Sequence, residues 1–131
     1  MAIEKVVVAG GGVLGSQIAF QTAYCGFDVT IWLRSEGSIG RTQPKIDSVY
    51  KSYIEAIEGM ADGSGTWCAG IADSNAPFNK EACLAKVEQA YKNLKLELDM
   101  AKAVSDADLV IESMSEDPKA KIDVYQKLAP L

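Results

Sequence analysis

No histidine occurs anywhere in the 131 residues. Its absence removes Ser-His and Cys-His nucleophile pairs, a His-ligated zinc and a histidine general base from the chemistry this chain performs by itself. No catalytic residue and no metal site is therefore assigned within it. No apolar run approaches the ~20 residues of a membrane span, and the opening MAIEKVVVAGGG is too short and too glycine-rich for a signal peptide. No membrane partner is expected. Positive charge is also short: 13 basic residues face 18 acidic ones, for a net charge of −5. The basic face of a nucleic-acid binder is accordingly not expected. Cysteine is scarce, with Cys25, Cys68 and Cys83 at unrelated spacings. They read as reduced thiols in a cytoplasmic protein, Cys25 and Cys83 as small core residues.

What remains is 48 % apolar and 24 % charged, enough for one ordinary domain with a sizeable core. Lys5 to Ala9 (KVVVA) is a short β-branched run closed by glycines, a buried strand. Val13 to Cys25 switches to helical spacing, and Gly26 is suited to a left-handed cap. Phe27 to Leu33 (FDVTIWL) is a second strand, so strand, turn, helix and strand form a βαβ unit with parallel strands. Gly37, Gly40 and Gln43-Pro44 mark a loop, with Pro44 opening a long amphipathic helix to Met60. Ala61 to Asn79 reads as an irregular loop, with Trp67 as its anchor, and Lys80 to Lys92 as another helix. Together these give a helical hairpin inserted at about residues 44–92. Leu94 to Leu98 alternates like a strand, Asp99 caps a short helix to Val104, and Ala107 to Ser113 (ADLVIES) is a strongly apolar, buried strand. Asp117-Pro118 opens a terminal helix.

Gly10, Gly12 and Gly15 make a G-x-G-x-x-G turn between the first strand and the first helix. Gly10 permits the tight turn, Gly12 admits a pyrophosphate to the backbone, and Gly15 lets helix and strands pack closely. The amides at Gly12, Val13 and Leu14 lie at the helix N-terminus, where free N–H groups and the dipole favour an anion. A turn made only for packing would not need three adjacent glycines, each costly in backbone entropy. The fold class is thus α/β: a Rossmann-type parallel sheet of four strands at most, with an inserted helical hairpin, incomplete at the C-terminus. Residues 1–131 are expected to be a partial dinucleotide-binding domain of a larger protein, because a doubly wound fold needs roughly six strands.

An acid normally ends the second strand and holds the adenosine ribose hydroxyls. Leu33 stands there instead, followed by Arg34 and Ser35. A guanidinium and a hydroxyl suit a 2′-phosphate, so NADP is favoured over NAD, and FAD less than either.

VVVAGGGVLGSQIAFQTAYCGFDVTIW resembles the opening of the L-3-hydroxyacyl-CoA dehydrogenases, in which a G-x-G-x-M-G turn leads into an Ile-Ala helix and a G-Y/H-D/E-V strand. Leu14 replaces the usual Met. ADLVIESMSEDPKAK resembles the family's A-D-L-V-I-E-A-V-x-E-x-x-x-x-K stretch. The resemblance implies hydride transfer between NAD(P) and a 3-hydroxyacyl-CoA, with Glu116 and Lys121 beside the nicotinamide half of the cofactor and the hairpin flanking CoA. It also implies that the family's catalytic His–Glu pair lies in a C-terminal domain absent from this chain. The 131 residues are therefore expected to bind cofactor without turnover and to meet an acyl-CoA substrate only in the full-length protein; strands left exposed on a half-domain suggest a homodimer that covers the open edge. The rival readings are a stand-alone NADP(H)-binding module without catalysis, and the N-terminal domain of another β-hydroxyacid dehydrogenase.

Overall fold

The computed structural model describes residues 3–63, 68, 70–72 and 78–113 and the single positions 122, 126 and 129. The elements run β1 Lys5–Ala9, α1 Val13–Tyr24, β2 Asp28–Trp32, α2 Glu36–Asp62, α3 Lys80–Asn93, β3 Lys95–Glu97, α4 Met100–Val104 and β4 Leu109–Glu112. The four strands are parallel, in the order β3-β2-β1-β4. This is the expected α/β Rossmann-type sheet. Winding outward from β1 through β2 to β3 lays α1, α2 and α3 on one face. The chain then reverses and returns through α4 to β4, on the other side of β1. Right-handed crossovers put the helices of those two directions on opposite faces.

Strand alternation divides the core accordingly. Val6, Val8, Val29 and Ile31 point into the larger cluster with Phe20, Ile57 and Val87 of the three helices. Val7, Ala9 and Trp32 point to the other face, against Met100, Ala103 and Val104. The Trp32 indole donates to the Leu98 carbonyl at 3.0 Å, which satisfies its polar edge. The helices of the larger cluster lock through aromatic contacts. The Tyr53 ring meets Phe20 edge-on at 4.8 Å between centroids. The antiparallel pair α2 and α3 is registered by Tyr91, whose hydroxyl donates to Asp47 at 2.6 Å, and by Tyr50, which bonds Glu88. The Tyr91 hydroxyl, with the Gln43 amide second, holds the Asp47 carboxyl below its ordinary range.

Three expectations need correction. The segment containing Gly37, Gly40 and Pro44 is helix, so the hairpin opens at residue 36 and not 44. Glycine and proline punctuation was overridden by packing: Ile39 lies against the core, and Thr42 is 2 % exposed beneath the glycine turn. Pro44 sits inside α2, and the carbonyl it leaves without a helical donor belongs to exposed Gly40, within reach of water. Cys25 is not a core residue but the exposed C-cap of α1, followed by Gly26 at φ +99°. β4 is not deeply buried. Among the described residues it has only β1 beside it, and Leu109 and Val110 are 40 % and 37 % exposed. Trp67 and the terminal helix expected from Asp117-Pro118 lie outside the described residues, isolated positions aside.

α2 approaches the turn after β1 too closely to admit a side chain on Gly11. A Cβ on Gly11 would sit 2.2 Å from Thr42 Oγ1 and 2.6 Å from Leu33 Cδ2, so helix, strand end and turn would have to separate. Gly11→Ala is expected to destabilise the protein by about 1–3 kcal/mol, the usual cost of overpacking. The loss should be smaller in a Thr42→Ala background. Denaturant unfolding of the two single variants and the double variant checks both.

Candidate dinucleotide site

The carboxyl ends of β1, β2 and β4 converge on one cavity of about 260 Å³, lined by the glycine turn, Trp32, Leu33, Arg34, Ser38, Arg41, Thr42, Lys45 and Ser113. It lies where the strand order reverses, beside the β1–β4 boundary, the place where open α/β sheets receive ligands. A larger depression of about 560 Å³, around Tyr24, Gly26 and Ile71, lies at the other end of α1 and has no such setting.

The turn's geometry separates its glycines by task. Gly10 has φ +119°, a conformation L side chains rarely adopt, and its N–H donates to the Trp32 carbonyl at 3.0 Å. Gly15 faces the strand end closely: a Cβ there would stand 2.4 Å from the Gly10 carbonyl and 3.1 Å from Ser113 Oγ. Gly12 is open, with nothing within 4 Å of where its Cβ would be. Gly11 is held from below by two buried hydroxyls, Ser16 Oγ at 3.3 Å and Thr42 Oγ1 at 3.2 Å, both donating to its carbonyl. The turn is fixed from the core side and open toward solvent.

Gly12 is also the N-cap of α1. It offers no side-chain cap, and the first turn carries no acid. The first helical bond runs from the Ser16 N–H to the Gly12 carbonyl at 2.9 Å, so the amides of Val13, Leu14 and Gly15 precede any intrahelical acceptor. Val13 and Leu14 themselves are 63 % and 64 % exposed, an uncommon arrangement for apolar residues.

Leu33, at the position expected to carry an acid, is 3 % exposed and packs into the larger core cluster. Its hydrocarbon side chain offers a ribose no hydrogen bond. Arg34, the next residue, is exposed and lines the cavity. Ser35 is the N-cap of α2, and its hydroxyl lies 3.2 Å from that of Ser38, which lines the cavity. Glu116 and Lys121 lie outside the described residues. The structure thus gathers Gly10, Gly12 and Arg34 around one space, with Val13, Leu14 and Gly15 opening α1 beside it and Ser35 behind Ser38. Sequence reading missed Ser38, Arg41, Thr42 and Lys45 because it placed the first three in a loop. Their i, i+3, i+4, i+7 spacing was the available signal. Ser113 was missed because a serine ending a strand is unremarkable.

A parallel sheet with this turn at its switch point defines a nucleotide-binding α/β domain. Residues 5–131 match the protein family described as 3-hydroxyacyl-CoA dehydrogenase, NAD binding domain, and the chain belongs to that family. It is 28 % identical over 126 residues to the mitochondrial hydroxyacyl-coenzyme A dehydrogenase of Rattus norvegicus, a match covering 96 % of this chain and 34 % of that protein. The chain thus spans about a third of the length of the curated relatives it matches. Among solved structures, FadB2 of M. tuberculosis superposes with a TM-score of 0.69 at 25 % identity, covering 98 % of this chain and 36 % of that one. A 3-hydroxybutyryl-CoA dehydrogenase from Escherichia coli K12 also gives 0.69 at 25 % identity, over 99 % of this chain and 22 % of that one. A diketoreductase gives 0.63 at 34 % identity, over 99 % of this chain and 38 % of that one. The family match sets the chain with the NAD-binding domains of the 3-hydroxyacyl-CoA dehydrogenases, and its cofactor class is NAD(P).

Because Gly12 faces open space, a methyl there should touch ligand and not protein. For Gly12→Ala, the lost capping preference and the gain in chain stiffness roughly offset, leaving stability within about 1 kcal/mol of the parent. Dinucleotide affinity should fall by about tenfold or more, as a Cβ holds the pyrophosphate away from the amides. Thermal melts and calorimetric titration of the same preparation separate the two effects.

Proposed function

We propose that this chain is the cofactor-binding part of an oxidoreductase that moves hydride between NAD(P) and a 3-hydroxyacyl-CoA / 3-oxoacyl-CoA pair. The observation that carries the reading is the uncapped, core-braced glycine turn at the carboxyl end of β1, combined with the family match. The pyrophosphate rests on the N–H groups at Gly12, Val13 and Leu14, with Gly10 and Gly15 shaping the backbone. The adenosine ribose lies toward the end of β2, where Arg34 and Ser35 replace the usual acid and favour NADP over NAD. Glu116 and Lys121 are assigned to the nicotinamide half of the cofactor, and α2–α3 to the flank of the acyl-CoA substrate.

The cofactor supplies the hydride. This chain's part is to bind it, orient it and shield one side of it. With no histidine, the chain has no imidazole to take the hydroxyl proton of a 3-hydroxyacyl substrate. The general base belongs to another part of the protein. Among the described residues the outer edge of β4 is unpaired, with Leu109 and Val110 exposed, which supports a further strand there, from a longer chain or from a second copy in a homodimer. Three cysteines at unrelated spacings fit a reducing, cytoplasmic setting. Among the described residues, no helix is long and apolar enough to cross a membrane.

The test is a pair of assays on the purified 131-residue chain. Calorimetry should show dinucleotide binding, while stopped assays with a short 3-oxoacyl-CoA and reduced cofactor should show no turnover above the uncatalysed rate. Arg34→Ala should lower affinity for NADPH more than for NADH. Turnover by the chain alone would refute the division of labour, and an unchanged NADPH affinity would remove Arg34 from the site.

A further inference from the structure

The protein carries a net charge of −5, yet among the described residues the lining of its switch-point cavity holds three cations, Arg34, Arg41 and Lys45, and no carboxylate. Ser38, Arg41 and Lys45 fall at i, i+3 and i+7 of α2, one face of the helix, and that face looks onto the glycine turn. Arg41 Nη2 donates to Ser38 Oγ at 3.0 Å, which draws the guanidinium toward the start of the helix and so toward Arg34. Among the described residues, the ion pairs are Lys5–Asp106 and Lys95–Asp28, and neither involves a cavity cation. The nearest acids by sequence are Glu36, in the first turn of α2, and Asp47, and neither lines the cavity. Three like charges around one space repel one another, and an anion of about two charges offsets that repulsion.

Resting on the reading that the turn holds a dinucleotide pyrophosphate, we infer that Arg41 and Lys45 complete, with Arg34, a subsite for the 2′-phosphate of NADP(H), and that α2 sets the cofactor preference of this protein. The placement follows from the fold. A pyrophosphate at the N-terminus of α1 directs the adenosine ribose toward the end of β2. There Leu33 is 3 % exposed and offers no polar group, and the solvent side is formed by Arg34 and the first three turns of α2. A 2′-phosphomonoester carries up to two negative charges and three acceptor oxygens. The guanidiniums of Arg34 and Arg41 can each donate in bidentate fashion, Lys45 adds a point charge, and Ser38 adds a hydroxyl. NAD(H) offers only a 2′-hydroxyl at this point and leaves the cations unmatched. The device lies on the helix rather than on the strand end, which is why the residues after β2 show only part of it.

Both cations are on the surface side of α2, Arg41 exposed and Lys45 half-buried, so replacing them spares the core. The experiment is calorimetric titration of the protein with NADPH and with NADH, for the parent, Arg41→Ala, Lys45→Ala and the double variant, with melting temperatures recorded. Coenzyme A, which carries a ribose 3′-phosphate, serves as competitor. The parent should bind NADPH more tightly than NADH. Each substitution should weaken NADPH by about three- to tenfold and leave NADH within about twofold. Equal affinity for the two cofactors, or equal losses for both in the variants, overturns the 2′-phosphate subsite while leaving the dinucleotide site standing. Displacement of NADPH by coenzyme A that itself depends on Arg41 and Lys45 overturns the 2′ assignment in favour of a general phosphate trap. Binding of neither dinucleotide overturns the turn's assignment and this inference with it.

Discussion

At the Gly11 carbonyl, two buried hydroxyls from different helices meet one peptide group. Ser16 comes from α1 and Thr42 from α2, and both donate to that oxygen. The missing side chain of Gly11 is what allows α2 this close, since a Cβ would overlap both Thr42 and Leu33. Three elements are thereby tied at one point: the turn after β1, the end of β2 and the second turn of α2. Moving the turn away would leave the buried Ser16 and Thr42 hydroxyls without that acceptor, a cost that favours one conformation of the turn. The solvent side of the same turn, at Gly12, is left bare. Rigidity behind and access in front are what a ligand-binding backbone needs, because no ordering cost then falls on binding.

The sheet topology explains why this rigid turn faces a cavity at all. Chain reversal after β3 sends β4 to the far side of β1, so helices depart to opposite faces and a crevice opens at the carboxyl ends between them. Ser113, whose N–H bonds the Ala9 carbonyl at 2.9 Å, closes one side of that crevice, and α2 closes the other. The Asp108 side chain fixes the opposite end of β4. It accepts the backbone N–H groups of Glu4 at 2.9 Å and Lys5 at 3.0 Å, which hold its carboxyl below the ordinary range. The first and last strands in the described sheet are thus clamped at both ends of their pairing, and the crevice between them keeps its width.

Most of the sheet was readable from sequence because its signals are local. The β-branched run at Val6 to Val8, the glycine at a positive-φ cap and the Asp99 cap of α4 each declare themselves within a few residues. Boundaries governed by tertiary contact were not. The first turns of α2 contain Gly37, Gly40 and Pro44, residues that oppose helix, and only burial of Thr42 and packing of Ile39 show why helix prevails. That single misplaced boundary hid Ser38, Arg41 and Thr42 from the site reading. The exposure of Cys25 and of Leu109 was illegible for a related reason. An apolar or small residue in a periodic pattern looks the same whether or not a neighbouring element arrives to cover it.

The claim on which the functional account rests is that the amides opening α1 hold the cofactor's pyrophosphate. The most direct measurement is an amide nitrogen–proton spectrum of the isotope-labelled protein titrated with NADH. The account predicts the largest shifts at Gly12, Val13 and Leu14, with smaller ones at Arg34 and Ser113. Shifts centred on the depression around Gly26 and Ile71, with the Gly10 to Gly15 amides unmoved, would contradict it.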